Sequence, residues 1–450
     1  MLILLTKIMC ALLSFLMAAL TGFAVPAEKK CEAEFKGSFV QSWASGSWND
    51  DQWESEMDYM KQCGIEYLIV QNLADKSYKA EGGGWTVYYD SKLPEFADAD
   101  RSSNDVLEKA LYHCQKAGIK LFVPLAMFDD FWTETAFTSQ YYEICDISCR
   151  MAEEIYGRYY EGYEDTFCGW YFVPELSNNL LTSASLAGIS IGLNRILDKL
   201  TELDGSLPLL LSPYYSRYYS TGPAVTLSAL VAFFKMTKFR DGDIYCPQDA
   251  VGAGWTEPED LKMMWRLYSE AVKSSKADVK LWANVECFTT PYADTLTDGI
   301  FNPEKTENTV YVPATLDRVI TQMEIASGYA ENIITFSFNH YYGLKFASPA
   351  FMETYKDYLV KSVLEKEAPK AVTGLTKNAA DNGITLTWNE AEDNFGVVYY
   401  RIEKNGSFLA RVETFAGGET VLTDESGSLS DIYTVTAWDA AGNASEGVTL

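Results

Sequence analysis

The chain has 450 residues, of which 48% are hydrophobic and 14% aromatic, and its formal net charge is −27. This apolar content predicts a large packed core and excludes an intrinsically disordered chain. The acidic balance argues against nucleic-acid binding, which needs basic surface to neutralise phosphates, and against docking on anionic lipid. It is compatible with an extracellular protein that binds a neutral ligand.

The N-terminus has the composition of a secretory signal peptide. Lys7 is the only charge in residues 1–27, the stretch 11–20 is apolar, and small residues surround Ala24 and Ala27. We therefore predict that residues 1–27 are a cleaved signal and that the mature protein is secreted, either extracellular or periplasmic. The alternative is a transmembrane anchor, because this stretch is almost long enough to span a bilayer. After cleavage we expect no membrane contact.

Cysteine and histidine restrict the chemistry further. Eight cysteines follow the signal, and most lie in apolar contexts, so we predict buried thiols and not a disulfide scaffold. His113, on the surface of a predicted helix, and His340 are the only histidines. A His-rich metal site is therefore disfavoured, and we predict neither a metal site nor a cofactor. The chemistry is expected to come from carboxylates, amides and aromatic rings.

Short apolar runs alternate with segments of helical character from residue 37 to residue 340. The runs are 37–43, 66–72, 120–127, 167–175, 207–213, 243–249, 279–288 and 332–340. Their lengths are typical of buried parallel strands, and Gly-Ile pairs at Gly64 and Gly118 end two helices directly before a strand. Eight such units predict that residues 31–366 form an α/β domain, a (β/α)8 TIM barrel.

The alternative architecture is a doubly wound open sheet. That fold usually carries a glycine-rich phosphate turn after its first strand. Here the first run ends in Gln41, Ser42 and Trp43, and neither GxGxxG nor a P-loop follows.

The pattern changes near Ala368 to short alternating strands separated by turn residues. The segments 372–375 (Val-Thr-Gly-Leu), 384–388 (Ile-Thr-Leu-Thr-Trp) and 433–443 resemble the fibronectin type III family. The resemblance implies a small all-β, immunoglobulin-like sandwich over residues 368–450, with Trp388 in its core and Tyr433 at its corner. We assign no chemistry to this module.

The C-terminal ends of barrel strands are where reactive residues lie in this architecture. Aromatic rings suit stacking on sugar rings, and amides and carboxylates suit hydroxyl groups. The predicted carbohydrate-binding residues are Gln41, Trp43, Asn72, Trp85, Asp129, Trp132, Tyr214, Gln248, Asp249, Asn284, Asn339 and His340. Trp48 and Trp255 add rings to the same group of loops.

Two glutamates end the fourth and seventh runs, Glu175 and Glu286. Glycoside hydrolysis needs two carboxyl groups flanking the scissile bond, and strands four and seven face each other across a barrel mouth. We therefore predict both glutamates as catalytic. Asp249 on strand six is the rival for the second carboxylate.

This placement resembles clan A, the retaining (β/α)8 glycoside hydrolases. By that resemblance Glu175 is the acid/base and Glu286 the nucleophile. The chain departs from the clan at Pro174, where the clan usually has Asn, so Asn178 and Asn284 are alternatives for the contact to the substrate 2-hydroxyl.

A second resemblance is to a family of uncharacterised secreted barrel proteins related to glycoside hydrolases. It rests on Gly-x-Phe-x-Gln at 37–41 and on Gly-Trp-Tyr-x-x-Pro-Glu at 169–175.

The sequence thus predicts a secreted, monomeric retaining glycoside hydrolase acting on a poly- or oligosaccharide. One alternative is a carbohydrate-binding barrel without catalysis. Another is a metal-dependent deacetylase or hydrolase using Asp249, Asp129 and His340.

Overall fold

A closed barrel of eight parallel strands forms the larger part of the protein. The computed structural model describes residues 29–78, 83–128, 139–178, 183–217, 222–290, 311–380, 383–415 and 420–450. The predicted signal, 1–27, lies outside them. None of the helices in these ranges has the length and apolar character that crossing a bilayer requires.

The strands up to residue 336 are β1 (Gly37–Val40), β2 (Tyr67–Val70), β3 (Ala74–Ser77), β4 (Gly84–Val87), β5 (Asp100–Arg101), β6 (Lys120–Pro124), β7 (Ala126–Phe128), β8 (Phe167–Phe172), β9 (Leu209–Leu211), β10 (Ile244–Tyr245), β11 (Lys280–Glu286), β12 (Phe288–Thr289), β13 (Val312–Pro313) and β14 (Asn332–Phe336). The barrel closes in the order β1-β14-β11-β10-β9-β8-β6-β2. The (β/α)8 prediction is confirmed, and the open-sheet alternative is wrong because β1 pairs with both β2 and β14.

The helices are α1 (Ser42–Ser45), α2 (Asp50–Gln62), α3 (Val106–Ala117), α4 (Ser139–Tyr159), α5 (Ser183–Asp204), α6 (Pro223–Met236), α7 (Leu261–Val272), α8 (Leu316–Ser327), α9 (Phe338–Tyr341) and α10 (Pro349–Lys361). Local signals set several of their ends. Asn49 and Gln52 form a capping box that begins α2, and Gly118 ends α3 in the left-handed conformation that glycine adopts at low cost.

All eight predicted runs contain a barrel strand, but the strands end earlier than the runs. The first run turns into α1 after Val40, and the last turns into α9 after Phe336. The fourth strand ends at Phe172, two residues before Pro174, which has no N–H to continue the ladder. The polar ends of the runs therefore lie in the loops above the barrel.

The barrel interior is filled by side chains that point inward from every strand. This inner cluster consists of Phe39, Ile69, Phe122, Tyr171, Val173, Leu210, Ile244, Cys246, Trp282 and Ile334. Because side chains alternate along a strand, the residues that follow these at steps of two also face the barrel axis. Glu175, two residues after Val173, and Glu286, four after Trp282, therefore point into the barrel mouth.

An additional sheet, in the order β5-β4-β3-β7, stands beside the mouth, since β3 follows β2 and β7 follows β6. Its β4 carries Trp85, which is only 8% exposed.

The C-terminal module consists of a three-stranded and a four-stranded sheet. Its strands are β15 (Thr373–Ala380), β16 (Gly383–Asn389), β17 (Val397–Lys404), β18 (Ser407–Glu413), β19 (Val421–Asp424), β20 (Tyr433–Asp439) and β21 (Val448–Thr449). Trp388 and Tyr433 are buried in its core. The module packs on the barrel through Tyr399 and through a hydrogen bond of 2.8 Å from the Leu316 N–H to the Ala440 carbonyl.

Two expectations on single residue types are resolved. The eight cysteines from Cys31 to Cys287 are unpaired, and five of them are buried, as expected. The surface position predicted for His113 is wrong. Its ring is 2% exposed, stacks on Trp53, and hydrogen-bonds Asp50 Oδ1 through Nε2 at 2.9 Å.

The close packing of the barrel strands can be tested at Gly169 in β8. A Cβ at this position would lie 2.6 Å from the Phe122 ring and 2.7 Å from the Pro208 carbonyl oxygen. We expect Gly169→Ala to lower the free energy of unfolding by about 1–3 kcal/mol, because overpacking forces the backbone to shift. The measurement is the urea unfolding midpoint. The matched control is Gly157→Ala in α4, where a Cβ meets nothing within 4 Å, and which should stabilise the protein by about 0.5–1 kcal/mol. Equal midpoints for both variants would contradict the packing.

Candidate active site

Glu175 lies three residues beyond β8 and is partly buried. Burial raises the pKa of its carboxyl to about 7, against a hydrogen bond from Gln248 that favours the charged form. A carboxyl group with such a pKa is protonated in a large fraction of molecules near neutral pH. It can therefore donate a proton there.

Glu286 is the last residue of β11 and is 2% exposed. Its Oε2 accepts a hydrogen bond of 2.7 Å from the backbone N–H of Ala253. Burial, followed by the charge of Asp249, raises the pKa of Glu286, whereas the Ala253 N–H and Arg318 act in the opposite direction. Glu175 also raises the pKa of Glu286, so the two carboxyl groups interact electrostatically.

A row of polar residues joins the two glutamates across strands four to seven. Isolated bridges connect Ser177 with Tyr214, Tyr214 with Gln248, and Gln248 with Asn284. The Gln248 side-chain amide donates to the Ser212 carbonyl at 3.0 Å. Tyr214, Gln248 and Asn284 were all predicted for the site, and the barrel register aligns them at its mouth.

Asn284 offers a free acceptor in this row. Its Nδ2 donates to Ser212 Oγ at 3.0 Å, whereas its buried Oδ1 has no hydrogen-bond partner within the part of the chain that the structure describes. Asn178 is the alternative considered for a hydroxyl contact. Its Oδ1 accepts the Ser216 N–H at 2.8 Å, and its Nδ2 donates to the Ser216 carbonyl at 2.9 Å. Of the two, Asn284 is thus the one whose side-chain oxygen is not used within the described scaffold.

Aromatic side chains stand on the rim. Trp43 on α1 is 57% exposed, and its ring meets the edge of His340 at 5.7 Å. Tyr214 and Trp255 lie 6.4 Å apart, ring centre to ring centre. Burial lowers the pKa of His340. The imidazole is therefore neutral at neutral pH, and it lies edge to face with the Trp43 ring.

Several predicted site residues lie elsewhere. Trp85 packs edge-on against Phe96 at 4.9 Å inside the additional sheet. Trp48 packs in the same way on Trp53 at 5.0 Å. Both rings are buried, so neither is a binding platform.

Two predicted amides are engaged in the scaffold. Asn72 donates to Asp75 at 3.3 Å, and buried Asn339 donates to Glu56 of α2 at 2.7 Å. The Gln41 carbonyl accepts the first hydrogen bonds of α1. The Gln41 side chain lies partly buried at the end of β1. Asp129 and Trp132 lie outside the described residues.

Asp249 does not reach the mouth, contrary to its prediction as a binding residue or second carboxylate. It follows Gln248 directly, so alternation turns its side chain outward, towards α8. There it is fully buried and accepts a hydrogen bond of 2.5 Å from Gln322.

The sequence analysis missed the residues around Glu286 that come from other elements. They are Ala253, Gln322, Arg318, Tyr311 and Tyr341. For Gln322 a signal existed, because it occupies the same helical face as the buried Val319, Met323 and Ala326, where an apolar residue is the norm. In the described ranges no three His, Cys, Asp or Glu side chains form a cluster suited to a metal ion.

The hydrogen bond from Gln248 makes a testable contribution to the titration of Glu175. It stabilises the charged form, so Gln248→Met should raise the pKa of Glu175 further and keep the carboxyl protonated to higher pH. Infrared titration of the protonated carboxyl band, identified by its loss in Glu175→Gln, measures the shift. Gln115→Met on the surface of α3 serves as the control and should leave the band unchanged. A band that titrates at the same pH in Gln248→Met would contradict the assignment.

Comparison with known proteins places the chain in a family. A solved structure from Bacteroides thetaiotaomicron VPI-5482, assigned as an alpha-L-fucosidase, is similar with a TM-score of 0.57 and 17% identity, over 75% of this chain and 96% of that one. Chitinase D of Niallia circulans is 39% identical over 77 residues, and chitinase Chi52 of Paenibacillus xylanexedens 37% identical over 82 residues. These matches cover 17% and 18% of this chain, and 14% and 15% of the two chitinases. Residues 35–353, more than half of the chain, match a family profile described as Domain of unknown function (DUF4434), and the protein belongs to that family.

Proposed function

We propose that the protein is a retaining glycoside hydrolase in which Glu175 is the acid/base and Glu286 the nucleophile. The observation that carries the proposal is the pair of inward-facing carboxyl groups at the C-terminal ends of the fourth and seventh barrel strands. Each has a raised pKa, and Glu175 contributes to that of Glu286. Two carboxyl groups in one mouth, with separate environments, are what glycoside hydrolysis requires.

The resemblance to clan A assigns the two groups to different steps, and the reactive form is the one in which Glu175 carries the proton and Glu286 does not. Protonated Glu175 gives its proton to the glycosidic oxygen as the bond to the anomeric carbon breaks. Ionised Glu286, oriented by the Ala253 N–H, attacks that carbon and forms a glycosyl ester. A water molecule then gives its proton to Glu175 and its oxygen to the anomeric carbon, which releases the sugar and restores both carboxyl groups.

The rest of the mouth supports a carbohydrate substrate. Asn284 has an acceptor that no described residue uses, and the exposed Trp43 ring offers a flat face of the kind that stacks on sugar rings. The fucosidase-assigned structure shares the fold, and the partial matches to chitinases also concern carbohydrate-active proteins. We further propose that the protein is secreted and monomeric, and that its C-terminal module is a fibronectin type III-like spacer or docking unit.

Substitution of the two glutamates separates their roles. We expect Glu286→Gln to lower kcat/KM by about 10²–10⁴-fold or more on every glycoside, because no nucleophile remains. Glu175→Gln should cost as much on substrates with poor leaving groups, but less on activated aryl glycosides, which leave without a proton. Initial rates on a panel of aryl glycosides and oligosaccharides measure both effects, with Glu270→Gln on the surface of α7 as the control.

The stereochemistry of the first-formed product tests retention. Proton NMR during hydrolysis should show the anomer of the substrate before mutarotation. If the opposite anomer appears first, the reaction is a single attack of water and not a double displacement. Glycan binding with no hydrolysis in the wild type would leave the carbohydrate-binding barrel as the function.

A further inference from the structure

We propose that Asp249 is a positioning residue for Glu286, and that it acts through residues 249–254, here called the strand-six turn. The proposal rests on the proposed function, since it assigns the group that holds and tunes the nucleophile. Asp249 itself touches no substrate, because it lies behind the barrel wall.

The side chain of Asp249 ties three elements together. Its Oδ1 accepts hydrogen bonds from the backbone N–H groups of Glu286, at 3.2 Å, and Val251, at 3.3 Å. Its Oδ2 accepts the amide of Gln322 on α8 at 2.5 Å. Burial raises the pKa of Asp249 to about 6, and these three donors act against burial by favouring the carboxylate form. The end of β11, the turn and α8 are thereby fixed relative to one another.

The strand-six turn carries this anchoring to the Glu286 carboxylate. Ala250 adopts a left-handed conformation with φ of 55°, and its carbonyl accepts the Trp255 N–H at 3.0 Å. The turn so formed directs the Ala253 N–H at Glu286 Oε2, at 2.7 Å. Asp249 therefore fixes Glu286 in two places. It accepts the Glu286 backbone N–H directly, and through the turn it orients the Ala253 N–H that donates to Glu286 Oε2.

The turn packs against Glu286 so closely that only glycine fits at position 252. A Cβ on Gly252 would lie 2.4 Å from the Phe288 carbonyl oxygen and 3.0 Å from both Cβ and Oε2 of Glu286. Real Cβ atoms do not approach a backbone oxygen to that distance, so a larger residue displaces either the turn or the end of β11.

Burial raises the pKa of Glu286 most, and the charge of Asp249 raises it further. The titratable groups that face Glu286 are Asp249, Arg318, Glu175, Tyr311, Tyr341 and Cys287. Arg318 on α8 donates to the Glu286 and Phe288 carbonyls and so reaches the backbone of the same segment. A negative charge at Asp249 disfavours the ionised form of Glu286. Formation of the glycosyl ester removes the Glu286 charge, so the same repulsion promotes attack.

The test is Asp249→Asn, which removes the charge and keeps the shape. Asn keeps an acceptor for two N–H groups, and Gln322 can turn its Oε1, which has no hydrogen-bond partner among the described residues, to receive the new amide. Because a repelling charge is lost, Glu286 should ionise at lower pH. We expect the infrared band of protonated Glu286, identified by its loss in Glu286→Gln, to titrate at lower pH, and the acidic limb of kcat/KM to move the same way by a similar amount.

Asp243→Asn is the matched control. Asp243 is equally buried at the opposite end of strand six, where it pairs with Arg240 at 2.7 Å. This variant should leave both the Glu286 band and the acidic limb in place. The infrared titration needs no substrate, so it separates the two proposals. A wild type without glycosidase activity overturns the proposed function, whereas a Glu286 band that titrates in Asp249→Asn as in the wild type overturns the positioning role.

Gly252→Ala tests the geometry without changing any charge. We expect kcat to fall at least about tenfold with a smaller change in KM, because a shift of the turn or of the end of β11 changes the position of Glu286 relative to the Ala253 N–H. Gly205→Ala, where a Cβ meets only ordinary contacts at 3.8 Å, is the control. Wild-type kcat in Gly252→Ala would show that the turn does not position Glu286.

Discussion

The alternation of side chains along the parallel barrel strands is the constraint on which the rest of the structure depends. Once Tyr171 and Trp282 face the barrel axis, Glu175 and Glu286 face it too, at the open end. The neighbouring Asp249 is turned away by the same rule and becomes a support between the barrel wall and α8. A shift of one residue in strand register exchanges these roles, so the site is as well defined as the barrel register itself.

Burying several carboxyl groups together is costly, because moving an unpaired ion out of water costs several kcal/mol of free energy even after the protein relaxes around it. The protein meets this cost in different ways. Asp249 is satisfied by three donors, and Glu286 receives the Ala253 N–H. Gln248 favours the charged form of Glu175. Burial nevertheless raises the pKa of all three carboxyl groups, and a site with such groups can transfer protons near neutral pH.

The sequence predicted Gln248, Tyr214 and Asn284 for the site because they lie at or near the ends of predicted strands, which converge at the mouth of any parallel barrel, and the structure aligns the three in one row. The same reasoning misplaced Trp85 and Asn339, because residues beyond the strand ends enter further elements whose packing no periodicity describes. Trp85 is buried in an additional sheet, and Asn339 is drawn to Glu56 of α2. A tryptophan in a loop has the same local pattern whether its ring is exposed or buried.

By itself the sequence determined the eight alternating units, the closed barrel, the separate all-β module and the two strand-end glutamates, because these follow from local hydrophobic periodicity and chain order. Only the tertiary structure decided what surrounds Glu286. The Ala253 N–H and Gly252 reach it from a turn distant in sequence from β11, and Gln322 on α8 reaches Asp249, which binds the Glu286 backbone. Their contacts depend on how strand six, strand seven and α8 pack in three dimensions, and close packing of that kind leaves no periodic trace in the chain.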